Sequence, residues 1–180
     1  MEDHAEAIVK QALKSGAQDA VAEVVADRNY QIRFARNEPV IVNEWRRTVG
    51  TVFLVYNHRV IAGDVTDFSR VSRTIENLVK AAKASPENPD YRGIAKGPFK
   101  YARASVDRKI LALEDGSDHV EAAVNGALAE GAKECAGSFW RYHTRHFLET
   151  SSEDRIGLFG GGVVLKPLVV KEHEAFSLSC

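Results

Sequence analysis

The sequence predicts an α+β protein of two similar units, each a helix followed by antiparallel strands, with the helices packed on one face of the sheet or sheets. The first observation behind this is that helical periodicity precedes runs of adjacent strand-like segments, without strict strand–helix alternation. The second is an internal repeat, in which "ALKSGAQDA" at 12–20 returns as "ALAEGAKEC" at 127–135. Both copies end a predicted helix at a glycine, after which the chain continues as a strand.

The first unit begins with a short amphipathic helix. Apolar residues recur at helical spacing from Ala5 to Leu13, Asp3 is the expected N-cap, and Gly16 is the expected C-terminal stop. Interleaved β-branched, aromatic and charged residues then predict strands, the last of which follows a tight turn at 57–59. The predicted strands cover 19–36, 40–46, 48–56 and 60–65.

A second helix and a connecting segment complete this unit. Thr66 or Asp67 is the expected cap of a helix that carries apolar residues on one face and ends at "SPENPD". Three of the five prolines lie in the stretch after this helix, which predicts a loop. We therefore expect one domain over 1–180, with possible subunits at 1–90 and 102–180 and a linker at about 86–101.

The second unit repeats this order. "KILAL" predicts a short ordered piece, and a helix comes after it in which Asp118 is the expected cap, Glu121 reaches back to it, and Gly131 is the stop. The turn-rich "TSSED" and the glycines at 160–162, read as a hairpin turn or bulge, separate the strands that come next. These strands are expected at 134–149, 155–159 and 163–172.

Composition disfavours several classes of function. The 24 Lys and Arg nearly balance the 25 Asp and Glu, with a pI near 6.6, so the broad positive field of a nucleic-acid-binding protein is missing. Apolar runs are far shorter than the ~20 residues that span a bilayer, and the acidic start is unlike a signal peptide. We expect a cytoplasmic protein. Cys135 and Cys180 form no disulfide framework, and Cys135 is expected to be buried on a strand.

Candidate reactive residues do not form a recognisable site. His143 and His146 are three apart on a predicted strand, so their side chains point to opposite faces and cannot share one ion. His173 is followed by Glu174, but no second ligand stands one turn later, as a zinc-protease helix requires. Ser151 and Ser152 lack the glycine-flanked elbow of a serine hydrolase. No catalytic or metal-ligating residue is assigned.

The order of these segments resembles the N-terminal region of the TldD/PmbA family, also called modulators of DNA gyrase. Three stretches carry the resemblance and together span most of the chain. They are "AEAIVKQALKSGAQDAVAEVV", "RRTVGTVFLVYNHRVIAGDVTDFSRVSRTIENLVKAAKASPENPDY" and "GALAEGAKECAGSFWRYHTRHFLETSSEDRIGLFGG". The last is similar to the family's second helix and to the strand that enters an Asn-Ser-Glu-Gly-like turn, here Ser151, Ser152, Glu153 and Asp154.

The resemblance implies a zinc-dependent protease that acts on unfolded or small peptides and works as a dimer of related subunits. The family's metal site is a His-Glu-x-x-x-His helix with a distant Cys in another domain, and this sequence contains no such helix. Zinc is therefore expected only in a C-terminal domain that is not part of this chain, and whether the chain is an enzyme stays open. Two departures are "GTVFL" in place of Gly-x-x-x-Arg, and Asp154 in place of the turn glycine.

The expected function is that of a non-catalytic scaffold or peptide-handling domain that mediates subunit pairing and substrate access. Its expected partners are a homologous subunit or a second copy of the chain, and an unfolded or small peptide. The residues assigned to peptide or partner contact are Thr150, Ser151, Ser152 and Glu153. Two alternatives stay open: a stand-alone hydrolase with a site assembled around His143 and His146, and a regulatory protein associated with DNA gyrase.

Overall fold

The computed structural model describes residues 1–97, 100, 107–152, 155–171 and 174–177. The elements of the described residues fall into two blocks along the chain: a helix, three strands and a helix, and then two helices and three strands. In chain order they are α1 (Glu2–Lys14), β1 (Asp19–Ala35), β2 (Glu38–Tyr56), β3 (Arg59–Val65), a 3-10 turn (Phe68–Arg70), α2 (Val71–Ala84), α3 (Arg108–Ala112), α4 (Ser117–Ala129), β4 (Glu134–Thr150), β5 (Arg155–Lys171) and β6 (Glu174–Ser177).

The strands form one six-stranded antiparallel sheet in the order β3-β2-β1-β4-β5-β6. The β2–β3 hairpin runs in register from Gly50 opposite Val65 to Tyr56 opposite Arg59. Its two turn residues, at 57 and 58, both have positive φ, as the tight turn that matches strand twist requires. The predicted α+β fold, with helices packed on an antiparallel sheet, is confirmed.

The chain forms two compact units that each combine segments distant in sequence. Unit 1 comprises Met1–Ala26, Arg47–Ala104 and Arg145–Leu158. Its core joins α1 and α2 to the strands, because Ile8 and Ala12 of one helix and Ile75 and Val79 of the other are buried at helical spacing. The strand residues of this core are Ala20, Ala22, Val24, Val52, Leu54 and Val65.

Unit 2 comprises Asp27–Arg46, Ser105–Thr144 and Phe159–Cys180. Among its described residues a single long helix covers its core, since α4 buries Val120 and Val124 against the sheet. The sheet contributes Ile32, Phe34, Cys135 and Phe139. Cys135 is buried on β4 as expected, and burial raises the pKa of its thiol.

The two copies of the sequence repeat adopt the same helix-ending structure. In unit 1, the N–H of Gly16 donates to the carbonyl of Leu13 (3.0 Å) and the N–H of Ala17 to that of Ala12 (3.1 Å). In unit 2 the equivalent bonds run from Gly131 to Leu128 and from Ala132 to Ala127, both 3.0 Å. These pairs define a Schellman cap, and the glycine φ values of 92° and 86° are the left-handed conformation that it requires.

Each strand that leaves a capped helix is also joined to a turn far along the chain. In unit 1 the N–H of Ala20 donates to Oγ of Ser151 (3.0 Å), and the N–H of Ser151 donates back to the carbonyl of Ala20 (2.8 Å). In unit 2 the N–H of Cys135 donates to Oδ1 of Asn37 (2.7 Å), and the N–H of Asn37 donates back to the carbonyl of Cys135 (3.1 Å). We call these two reciprocal pairs the turn clasps.

The expected N-caps of α1 and α4 are wrong, and α2 begins after Arg70, with the expected cap Asp67 at the start of the 3-10 turn before it. Met1, not Asp3, precedes the first helical residue, so Asp3 lies inside the first turn. The second case is α4, where Gly116 holds the cap position; Asp118 is again in the first turn, and the side chain of Asp115 accepts from the N–H of Ser117 (2.8 Å). In both helices an acidic side chain remains near the positive end of the helix dipole.

The expected apolar faces are correct except at two equivalent positions. Leu13 is 41% exposed and Leu128 is 39% exposed, although both continue the spacing of their helices. Each lies two residues before the cap of its helix, where the chain turns toward the strand. The end of each helix therefore lies beyond its core.

Two expected strand breaks are also wrong. β2 continues through residue 47 as one strand of 19 residues, and β5 continues through the three glycines at 160–162 as one strand of 17. Ladder hydrogen bonds hold the backbone extended there, although glycine itself has little preference for a strand. Among the described residues, no helix is both long enough and apolar enough to span a bilayer.

Candidate functional site

An open groove of ≈ 680 Å³ lies in unit 1 beside the start of β1. One side is formed by Gln18 and Asp19, directly after the capped end of α1, and by His58 in the β2–β3 turn. The other side is the irregular segment after α2, which contributes Tyr91, Arg92, Gly93, Ile94 and Lys96. The groove therefore brings the first helix–strand junction next to the predicted linker.

Two hydrogen bonds join these two sides, and a third joins His58 to Gln18 within the first side. The phenol of Tyr91 donates to Oδ2 of Asp19 at 2.8 Å, and the N–H of Asn88 donates to the carbonyl of His58 at 2.8 Å. The N–H of His58 donates to Oε1 of Gln18 at 3.2 Å. Burial and the neighbouring Asp19 carboxylate raise the pKa of Tyr91, so the phenol stays protonated and remains a donor.

A second opening, of ≈ 520 Å³, shares Gln18, Asp19 and Lys96 with the first and extends it toward the β4–β5 turn. Ser151 and Ser152 line this part. Oγ of Ser151 is held by the unit 1 turn clasp, and Oγ of Ser152 lies 3.4 Å from the carbonyl of Ala95 and 2.9 Å from Oγ1 of Thr150. We call the two openings together the junction groove.

Of the four residues assigned to peptide or partner contact, three lie at or next to the junction groove. Ser151 and Ser152 line it, and Thr150 contacts Ser152. Glu153 lies outside the described residues, as do Asp154, His173 and Cys180. The contact role of these residues stays a prediction.

The polar groups of the junction groove include both donors and acceptors. Oε1 of Gln18 accepts from His58, which leaves the amide NH2 of Gln18 as a donor, and the hydroxyl of Ser151 can donate because its oxygen already accepts from Ala20. The Lys96 ammonium adds a cationic donor, and Asp19 adds a carboxylate acceptor. A peptide backbone, which offers N–H and C=O groups in alternation, matches this mixture.

One of the two histidines that might have formed a reactive site, His146, has a partner on the neighbouring strand. Nδ1 of His146 lies 2.9 Å from Oε1 of Glu23 across the β1–β4 ladder. Within the described part of the chain, no three His, Cys, Asp or Glu side chains are placed to hold one metal ion. His146 is thus explained as one member of a half-buried cross-strand pair with Glu23.

Most residues of the groove were not identified as site residues from the sequence, among them Gln18, Asp19, Tyr91 and Lys96. Asp19 belongs to the repeated stretch, so its position at a helix–strand junction was visible but its partner was not. Tyr91 lies 72 residues away in the proline-rich segment, which the sequence predicts only as a loop. Its position after "NPD" gives no signal of the contact.

The fold and the groove define a class of protein, an α+β domain built on a duplicated helix–glycine–strand junction. No protein-family model matches the sequence, and no curated relative does. Solved structures do match. A candidate modulator of DNA gyrase from Bacteroides thetaiotaomicron is 14% identical with a TM-score of 0.77, and TldE from Thermococcus kodakarensis has the same identity and TM-score. A candidate modulator of a DNA gyrase from Thermotoga maritima is 11% identical with a TM-score of 0.74.

These structures share nearly the whole fold of the chain. The matches cover 98%, 98% and 99% of this chain, but only 43%, 42% and 42% of the three solved chains. The chain therefore spans less than half the length of the proteins whose fold it shares. The resemblance to the TldD/PmbA family is confirmed at the level of the fold.

Proposed function

We propose that this chain is the non-catalytic N-terminal part of a TldD/PmbA-like zinc metalloprotease, and that it guides an unfolded peptide and pairs with a homologous subunit. The observation that carries the proposal is the junction groove, an open groove whose hydrogen-bond donors and acceptors complement those of an extended peptide backbone. The shared fold with TldE and two candidate DNA gyrase modulators supports the family assignment. The missing His-Glu-x-x-x-His helix supports the non-catalytic role.

The groove supports peptide handling because its walls are fixed before a ligand arrives. Tyr91 is anchored on Asp19, and the start of the segment is tied to β3, where Nη2 of Arg59 lies 2.8 Å from Oε1 of Glu87. A peptide that enters such a groove meets donors in defined positions, so less conformational entropy is lost on binding. Cleavage then requires groups that this chain does not supply.

Binding of a fluorescently labelled unstructured peptide, followed by anisotropy, tests the proposal. Tyr91→Ala removes the bond that anchors one wall and is expected to weaken peptide binding up to about tenfold, because the loosened segment must then be ordered when the peptide binds. Lys96→Gln, which leaves the wall in place, is expected to weaken binding by a smaller factor. Lys80→Gln, on the exposed side of α2 away from the groove, is the matched control and should bind as the parent does.

The same samples test the non-catalytic role. The purified chain is incubated with zinc and an unstructured protein substrate, and the products are separated by mass. No cleavage is expected. Stoichiometric zinc with turnover would contradict the non-catalytic role, and equal peptide affinity for Tyr91→Ala and the parent would contradict the role of the groove.

A further inference from the structure

A buried arginine in unit 2 lacks the partner that a buried charge normally has. Arg141, on β4, is only 3% exposed, and its Nε is sealed from solvent without a hydrogen bond. Among the described residues, no carboxylate lies within ion-pair distance of its guanidinium and no carbonyl accepts from it. Removing a charge from water is costly, so buried charges are normally paired. Arg141 therefore lacks an anion.

The guanidinium of Arg141 is held in place by an aromatic ring on the neighbouring strand, β1. Its Cζ lies 5.8 Å from the centroid of the Tyr30 ring, which is a cation–π contact. The phenol of Tyr30 donates to Oδ1 of Asp115 at 3.1 Å, and burial and this carboxylate raise the pKa of Tyr30. The ring contact orients the guanidinium, but it satisfies none of the guanidinium N–H donors.

Asp115 does not supply the missing anion, because its carboxylate is already bound at the start of α4. Its Oδ1 accepts from the N–H and from the hydroxyl of Ser117, both at 2.8 Å, as well as from the Tyr30 phenol. The bonds from Ser117 hold the pKa of Asp115 below its usual range. Asp115 is therefore ionised, but its hydrogen bonds go to groups other than Arg141.

Glu44 is the other carboxylate whose charge acts on Tyr30, and it is also bound to other groups. Its Oε1 lies 2.6 Å from Nε of Arg28 and 3.2 Å from Nη2 of Arg46. Around Tyr30 there are thus three guanidinium groups and two carboxylates. Arg28 and Arg46 are exposed, so water screens their charges, whereas Arg141 is buried. The surplus positive charge that needs a counter-ion is therefore that of Arg141.

We propose that Arg141 is the binding group of a carboxylate site in unit 2. A carboxylate matches the planar fork of a guanidinium with two parallel hydrogen bonds, and its single negative charge equals the surplus. Nε is sealed, so the donors that a ligand reaches are Nη1 and Nη2.

The narrow access to Arg141 limits the ligand. At 3% exposure, the carboxylate must stand at the end of a slender group, as it does in a small organic acid or at the C-terminus of a peptide. A phosphate group is larger and carries more charge, so it fits less well. This inference goes beyond the proposed function and does not depend on it.

NMR of the arginine side chains in the isotope-labelled full chain tests the site. The Nε–H signal of Arg141 is identified by its loss in Arg141→Lys. Sodium acetate then replaces sodium chloride at constant ionic strength, and a saturable shift of this signal is expected because acetate binds the same guanidinium. The matched control is the signal of Arg108, an exposed arginine on α3, which should show no saturable shift.

Two peptides of identical sequence distinguish the sources of the carboxylate. One ends in a free carboxylate and the other in a carboxamide. If the free-carboxylate peptide shifts the Arg141 signal and the carboxamide does not, the site accepts a peptide C-terminus. If acetate alone shifts it, the ligand is a small organic acid. Arg141→Lys keeps the charge but loses the fork, and it is expected to weaken acetate binding at least about tenfold, measured by thermal stabilisation.

The stability of Arg141→Met separates a binding role from a structural one. This variant replaces an unpaired buried charge by an apolar side chain, so in chloride its Tm is expected to equal or exceed that of the parent. Acetate should raise the Tm of the parent only. A lower Tm for Arg141→Met, together with no effect of acetate on the parent, would show a purely structural role and overturn the inference.

The titration of the parent does not depend on whether Arg141→Met folds. The absence of a saturable shift with both acetate and the free-carboxylate peptide would overturn the inference. So would tighter binding of inorganic phosphate than of acetate.

Discussion

The two helix–strand junctions have the same backbone but different surroundings. The cap residues before Gly16 and Gly131 have nearly equal angles, −83° and 4° at Ser15 and −84° and 8° at Glu130. The junction of unit 1 belongs to a core that two long helices cover, whereas that of unit 2 belongs to a smaller core under one long helix. A short sequence pattern thus determines the backbone of the local turn, whereas the size of the hydrophobic core beside it depends on the rest of each unit.

The two junctions also differ in the polar residues that come after the glycine. In unit 1 the next polar pair is Gln18 and Asp19, and both line the junction groove. At the same offset in unit 2 stand Lys133 and Glu134, and neither lines the ≈ 430 Å³ opening of that unit beside Phe34 and Ala136. The repeated helix–strand junction therefore lines a candidate site in unit 1, because there the segment that contains Tyr91 forms the second wall of the groove.

The mutation with the largest expected effect on stability lies in the smaller core, that of unit 2. Phe139 is fully buried in unit 2, and its ring fills the space at Gly116, where an added Cβ would lie 2.0 Å from it. Phe139→Ala is expected to cost about 3–5 kcal/mol of unfolding free energy, measured by denaturant titration. Ile8→Ala, in the larger core of unit 1, is the matched variant and should cost about 2–5 kcal/mol.

Hydrogen exchange then reports where each core mutation acts. Faster exchange limited to α4 and its strands in Phe139→Ala, and to α1 and α2 in Ile8→Ala, is expected if each unit keeps its own core. Equal loss of protection in both units for both variants would contradict this.

The glycines of the two caps should give the next largest effect. Alanine at Gly16 or Gly131 is forced into the left-handed region at a cost of about 1–2 kcal/mol. Gly16→Ala should cost more, because its Cβ would also lie 3.3 Å from the ring of Tyr56. Gly126→Ala, inside α4 where a Cβ meets nothing within 4 Å, is the control and should stabilise the protein by up to about 1 kcal/mol. Thermal unfolding measures the Tm of the three variants, which should rise from Gly16→Ala through Gly131→Ala to Gly126→Ala. Any other order would show that the two glycine caps do not limit stability.

The sequence predicts those features that depend on local pattern. The two C-terminal glycine caps, the helices and the β2–β3 turn follow from glycine, proline and the spacing of apolar residues, and all are found. The continuous β5 was not predicted, because residues 160–162 favour a turn by themselves and are extended only through strand pairing. The junction groove was not predicted either. Tyr91 and Asp19, which form it, are 72 residues apart, and Tyr91 lies in an irregular segment whose contacts no local pattern indicates.

The two turn clasps can be compared by the loss of stability when the side chain of each is removed. Asn37 accepts from Cys135, also donates to the carbonyl of Lys133 at 3.3 Å, and has a φ of 69° that asparagine tolerates well. Asn37→Ala is therefore expected to cost about 1–2 kcal/mol. Ser151→Ala loses one acceptor and should cost about 1 kcal/mol. Chemical denaturation measures both, and a larger cost for Ser151→Ala would reverse the expected order.

The smallest effect is a dependence on pH. Hydrogen bonds from the hydroxyl and N–H of Ser117 hold the pKa of Asp115 below its usual range, and those of Ser69 do the same for Asp67. The carboxylates therefore stabilise the folded state above the ordinary aspartate pKa of about 3.9, and this contribution is lost as the pH falls through their folded pKa values. Asp115→Asn and Asp67→Asn should each slightly flatten the acid side of a plot of Tm against pH. Unchanged slopes would show that neither cap is coupled to folding.

The turn clasps also bear on how the chain is made. The bond between Ala20 and Ser151 forms only after Ser151 has been synthesised, and the bond between Asn37 and Cys135 only after Cys135 has been. β1 therefore leaves the ribosome about a hundred residues before its neighbour β4 is complete. At ~5–20 residues per second, the nascent strand stays without that neighbour on the order of ten seconds. Holding that strand apart from other nascent chains is a task for the chaperones that act during translation.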